Sequence, residues 1–180
     1  MSDYYLFNFR FAISTDAPAS LLSALRTASR GGAVPRDQLS DLPLIVHDYL
    51  AGEGFPGDGV HQFNKEMDAY LLRLSRTFHD DEYFNGGIYF PYWLMSFAAR
   101  DGQLGTMHQI NGDTPPVILT KVGPLLHETE MAYSPDEFWP IPGQRMPDAS
   151  APLIVKKTTT HRLTELMDQL NTLRTKFGEE

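Results

Sequence analysis

The chain has 180 residues, and 15 Lys plus Arg against 23 Asp plus Glu leave a formal charge of −8. That length suits one domain whose core stands without covalent staples. The absence of cysteine excludes a disulfide framework, a thiolate zinc site and a cysteine nucleophile. The acidic balance excludes a broad phosphate-tracking surface, because Lys156-Lys157 with Arg162, and Arg174 with Lys176, are sparse.

Residues 4–13 alternate Phe7, Phe9, Phe11 and Ile13 with Asn8, Arg10 and Ala12, the period-two pattern of a half-buried strand. Asp16 and Pro18 then fit the start of a helix with Leu21, Leu22 and Leu25 as its apolar stripe, ended by Gly31-Gly32. After a polar connector over 33–41, the run 42–51 carries Leu42, Ile45, Val46, Tyr49 and Leu50 at helical spacing, and a strand over Leu44–Tyr49 competes with that reading. Phe63, Met67, Tyr70, Leu71, Leu74 and Phe78 fall on one face of a helix, so the spacing predicts a third helix there.

Residues 87–99 are apolar on both parities, which predicts a strand covered on both faces, with Pro91 at a bulge or at the strand entry. Asp101-Gly102 and Asn111-Gly112 are hairpin-turn dipeptides, leading into Leu104–Ile110 and then Val117–Val122. Three β runs with two such turns predict a meander. Residues 123–152 hold Pro124, Pro135, Pro140, Pro142, Pro147 and Pro152, and are expected to form an irregular arm. Within it Ser134-Pro135-Asp136-Glu137 fits a capping box ahead of Phe138-Trp139. A short strand at Leu153–Lys157 follows, and Leu163, Leu166, Leu170, Leu173 and Phe177 mark a closing amphipathic helix.

The expected fold is therefore one α+β domain spanning 1–180, with an arm at 123–152. Its antiparallel sheet would have four to five strands, the N-terminal strand plus the three-strand meander, with helices packed mainly on one face. No window approaches the roughly 18 apolar residues of a membrane helix. The start Met1-Ser2-Asp3 carries no signal-peptide features, so a cytoplasmic protein without membrane or nucleic-acid partners is expected.

Catalytic signatures are sparse. Gly52-Glu53-Gly54-Phe55-Pro56-Gly57 matches a dinucleotide fingerprint in spelling, but Glu53 and Asp58 would face the pyrophosphate, no cation is nearby and no clear βαβ unit surrounds it. His127-Glu128-Thr129-Glu130 is followed by Met131, so it is no zinc-peptidase motif, and the ligand-rich run His79-Asp80-Asp81-Glu82 reads as a solvated charged terminus. No metal and no cofactor is expected. Two readings compete. The first is a non-enzymatic interaction protein whose aromatic–acidic arm, through Tyr133, Asp136, Glu137, Phe138 and Trp139, contacts a protein partner or a second copy. The second is a small acid–base or hydrolytic enzyme, or a small-ligand or metal module, using His108 and His127 with Glu128 and Glu130.

Overall fold

The computed structural model describes residues 4–51, 56–79, 89–110, 115–133, 153–166 and 168. Seven strands run in chain order: β1 Tyr4–Ser14, β2 Gly59–Glu66, β3 Ala69–His79, β4 Gly102–Gln109, β5 Val117–Val122, β6 Leu125–Tyr133 and β7 Leu153–Arg162. Among the described residues, helices α1 Ala19–Ala28, α2 Leu44–Ala51 and α3 Tyr89–Ser96 and a 3-10 turn at Arg36–Leu39 accompany the strands, and residues 163–166 are helical, with Leu163 and Leu166 buried as the spacing predicts. All seven strands form one antiparallel sheet in the order β2-β3-β1-β4-β5-β6-β7.

This overturns the expected α+β class with four to five strands and helices mainly on one face: the protein is mostly sheet, and its helices are short. Two misread segments account for much of the difference. Residues 63–78 belong to the β2–β3 hairpin, closed by Met67-Asp68 between the paired residues Glu66 and Ala69. Met67 takes φ 48° and is 86% exposed at the tip. Glycine favours that conformation, and its absence hides the turn in the sequence. The run Tyr70-Leu71-Leu72-Arg73-Leu74 satisfies helical and strand periods alike. Pairing with β1 along the full length of β3, from Tyr4↔His79 to Ser14↔Ala69, decides in favour of the strand.

Residues 89–96, expected as a doubly covered strand, are instead α3, with Phe90, Pro91, Tyr92, Trp93, Leu94 and Met95 all buried. A segment apolar on every side suits a helix enclosed on every side as well as a buried strand. Pro91 sits in its first turn, where a missing N–H removes no helical hydrogen bond.

The meander is real but displaced along the chain: it comprises β4 to β7 rather than a strand at 87–99 followed by two more. The expected irregular arm begins instead with a tight Gly123-Pro124 turn, between the paired Val122 and Leu125, and continues as β6. Gly123 takes φ 56° there, and Asp101 Oδ2 accepts its N–H at 2.9 Å. Residues 134–152 lie outside the described residues, as does the Asn111-Gly112 turn. The N-terminal strand and α1 form where periodicity places them, and 42–51 resolves as helix from Leu44. Pro18 occupies the N-cap of α1 with no side-chain cap, so Asp16 does not serve there.

The core is one cluster built on the odd positions of β1. Phe7, Phe9, Phe11 and Ile13 are buried together with Leu72, Leu74 and Phe78 of β3, Leu21 and Leu25 of α1, Val46 of α2 and the body of α3. Phe7 meets Phe78 edge-on at 5.1 Å between centroids, and Tyr49 meets both Phe78 and Phe90. The β1–β4 seam joins the two halves of the sheet, and there Phe9 lies opposite Gly105. Gly105 is required: a Cβ would approach Phe9 Cδ1 to 2.9 Å and the Asn8 carbonyl oxygen more closely still. Successive residues of a strand alternate faces. The face carrying Phe7 and Phe9 is called inner below, and the face carrying Asn8 and Arg10 outer.

Candidate functional site

The registers place the anticipated residues of the sheet. His108 lies on β4 opposite Leu6, and His127 on β6 opposite Thr120, both on the outer face. Met107↔Val117 fixes His108 level with position 116, just ahead of β5, so the two histidines are four residues apart along the strands and two strands across. Standard strand spacings make that roughly 16 Å, far beyond the range of a shared proton. His127 is instead engaged by its neighbour, with Nδ1 2.8 Å from Thr160 Oγ1.

Glu128 and Glu130 alternate to the inner face, away from His127. Glu128 Oε2 lies 3.3 Å from Nε2 of His161 on β7, and the His161 ring is tilted against Tyr92 of α3 at 5.7 Å. The acid–imidazole pair that the sequence suggested thus exists with a different histidine. His161 is eight residues beyond the start of β7, and only the Leu126↔His161 register puts it beside Glu128. Its Nε2 is shielded from solvent and has no hydrogen-bond partner among the described residues. The ring contact with Tyr92 links β7 to α3. Glu130 pairs with Lys156 at 3.5 Å and Lys157 at 4.0 Å. Tyr133 is the last residue of β6, and Asp136, Glu137, Phe138 and Trp139 lie outside the described residues. Among the described residues no group of three His, Asp or Glu side chains is arranged to hold a metal.

A buried charged pair escaped the sequence reading. The Asp58 side chain is 3% exposed and that of Arg76 13% exposed. Asp58 accepts from the Thr77 N–H at 3.0 Å and from the Thr77 hydroxyl at 2.9 Å, and Arg76 Nε lies 3.9 Å from the same carboxylate. The Arg76 guanidinium also stands over the Tyr49 ring at 5.3 Å. Arg76 occupies a core-facing position because Arg76↔Phe7 sets its parity. The strand alternation of 70–78 was the only signal that would have revealed it. A small cavity of ≈ 120 Å³ adjoins the pair. The two hydrogen bonds from Thr77 and the ring contact are what make a buried ion pair tolerable, and they give it a structural role.

A larger, open cleft of ≈ 400 Å³ lies between the C-terminal half of α1 and strand β2. Arg26, Arg30, His61 and Lys65 line it with Gln62 and Tyr70, and among the described residues no carboxylate contributes to its wall. At the opposite end of the sheet β7 is a terminal strand with Leu153 44%, Ile154 43% and Val155 61% exposed. Tyr133 pairs with Leu153, so the 134–152 connection leaves and re-enters the sheet at this corner. No helix among the described residues is long and apolar enough to cross a membrane. Comparison with known protein families, with curated proteins and with solved structures finds no match to this chain.

Proposed function

We propose that this chain is a non-enzymatic interaction protein that self-associates through the β6–β7 end of its sheet. The observation that carries the reading is the run of three consecutive exposed apolar residues, Leu153, Ile154 and Val155, on a terminal strand. A terminal strand offers unpaired N–H and C=O groups as a template for another strand, and apolar side chains there add area to bury. The connection that starts from this corner carries the aromatic–acidic residues Asp136, Glu137, Phe138 and Trp139. A second copy is the favoured occupant on charge grounds. Antiparallel pairing of two β7 strands about Ile154 sets Ile154 opposite its own copy and Leu153 opposite Val155, so the apolar residues meet and neither Lys156 nor Lys157 faces a lysine.

Sedimentation velocity across a wide concentration range tests this. The expected result is a dimer that Ile154→Lys with Val155→Lys converts to monomer while the far-ultraviolet circular dichroism stays unchanged. Phe138→Ala with Trp139→Ala should weaken the dimer. A wild-type chain monomeric at every concentration, or a dimer indifferent to the β7 variant, overturns the reading.

A further inference from the structure

Cations on this acidic chain are distributed unevenly. Arg36, Arg76, Arg100, Lys121, Lys156 and Arg162 each have a carboxylate within 4.0 Å. Among the described residues Arg26, Arg30 and Lys65 have none, and all three line the single cleft between α1 and β2. His61 and Gln62 complete the same wall. The Arg26 guanidinium stands over the Tyr70 ring at 5.8 Å, and Tyr70 stacks on Phe63 at 4.9 Å, so the floor of the cleft is aromatic.

A second concentration of charge flanks β2 from the outer face. Arg10 of β1 and Arg73 of β3 lie directly opposite one another, both exposed, and Arg73 is in turn paired with Gln62 of β2. Like charges directly opposite on a sheet are destabilising. Arg26 alone would be explained by the carbonyl end of α1, where a cation is favoured. That explanation does not extend to Lys65 and His61 across the cleft, nor to Arg10 beside Arg73.

We propose that the β2 edge, with the C-terminal half of α1 as its other wall, is a docking site for an extended acidic peptide. β2 is the terminal strand of this half of the sheet, so its outward backbone groups are placed to add one more strand. Side chains of an added strand alternate between the two faces of the sheet. One set meets Arg26, Arg30 and Lys65 in the cleft, and the other meets Arg73 on the outer face. Guanidinium groups accept carboxylates in a two-bond fork, which gives acidic side chains a geometric as well as an electrostatic fit. The site lies at the opposite end of the sheet from β7 and does not depend on self-association.

The test uses the full chain and a fluorescently labelled peptide that alternates glutamate with valine, with a lysine–valine peptide as control. Fluorescence anisotropy is expected to show saturable binding of the acidic peptide that weakens as salt is added, and none of the basic one. Hydrogen exchange should show new protection on β2 amides. Arg26→Glu with Lys65→Glu should weaken binding by at least about tenfold, as should Arg30→Glu separately, with circular dichroism unchanged because these side chains are solvent-exposed. Arg162→Glu at the far edge should leave binding as it is. No binding, binding indifferent to the cleft variants, protection on β7 in place of β2, or displacement by inorganic pyrophosphate with no β2 protection overturns the proposal.

Discussion

The two ends of the sheet are built on opposite principles. The β2–β3–β1 end is thick: Phe7, Phe9, Phe11, Leu72, Leu74 and Phe78 bury against α1, α2 and α3, and the terminal strand β2 exposes polar and charged side chains, Lys65 and Glu66 among them. The β6–β7 end is thin. β6 contributes Leu126 to the core, and no residue of β7 from Leu153 to Arg162 is buried. What holds β7 is its ladder to β6, the contacts of His161 with Glu128 and Tyr92, and the helical residues after it, where Leu163 and Leu166 join the core and the Leu163 N–H donates to the Pro124 carbonyl. Edge strands are ordinarily protected by charge, and β2 follows that rule. β7 has Lys156 and Lys157 beside three exposed apolar residues, and a bulge at Lys156 interrupts its register with β6. The contrast is between an edge flanked by cations and an edge that exposes apolar area, and the two proposals rest on it.

Three variants break or sharpen this contrast. Phe9→Ala, in the thick half, removes a ring that is 1% exposed and should cost about 4 kcal/mol in urea unfolding, the usual range for a buried phenylalanine. A loss under about 1 kcal/mol would mean that the half is not the stability core, because so small a value belongs to surface positions. Gly105→Ala at the seam between the halves should cost about 2 kcal/mol through forced displacement of the Asn8 carbonyl and the Phe9 ring. Unchanged stability would show that β1 and β4 are not in such close approach. Ile154→Thr with Val155→Thr should move the unfolding free energy of the monomer by less than about 0.5 kcal/mol, as for exposed positions. Measured at a concentration low enough to dissociate any dimer, a larger loss would place these residues in the interior.

The sequence made part of this legible for identifiable reasons. The alternation over 7–11 was unambiguous because phenylalanine and polar residues change places at every step, and β1 is the interior strand those residues describe. The segment 63–78 was not legible, because leucine-rich runs satisfy two periods and the Met67-Asp68 turn lacks glycine or asparagine. The segment 87–99 was not legible, because uniform apolarity states burial without stating geometry. The candidate site fared similarly. Glu128 was singled out and does meet an imidazole, yet the partner is His161, since adjacent residues on a strand face opposite ways and exclude His127. Arg26, Arg30 and Lys65 are distant in the chain, and no local pattern assembles them.

By itself the sequence determined what is local: a cysteine-free acidic chain, the alternating N-terminal strand, the helix at Ala19–Ala28, and the β character of the runs at 104–110 and 117–122. Only the tertiary structure decided what depends on partners: the helix-or-strand choice at 63–78 and 89–96, the seven-strand order, and which charges share a cleft. The physical reason is that side-chain periodicity reports which faces will be buried. Backbone pairing and register, which bring together residues such as Glu128 and His161 or Arg10 and Arg73, are chosen by hydrogen-bonded neighbours far away in the chain.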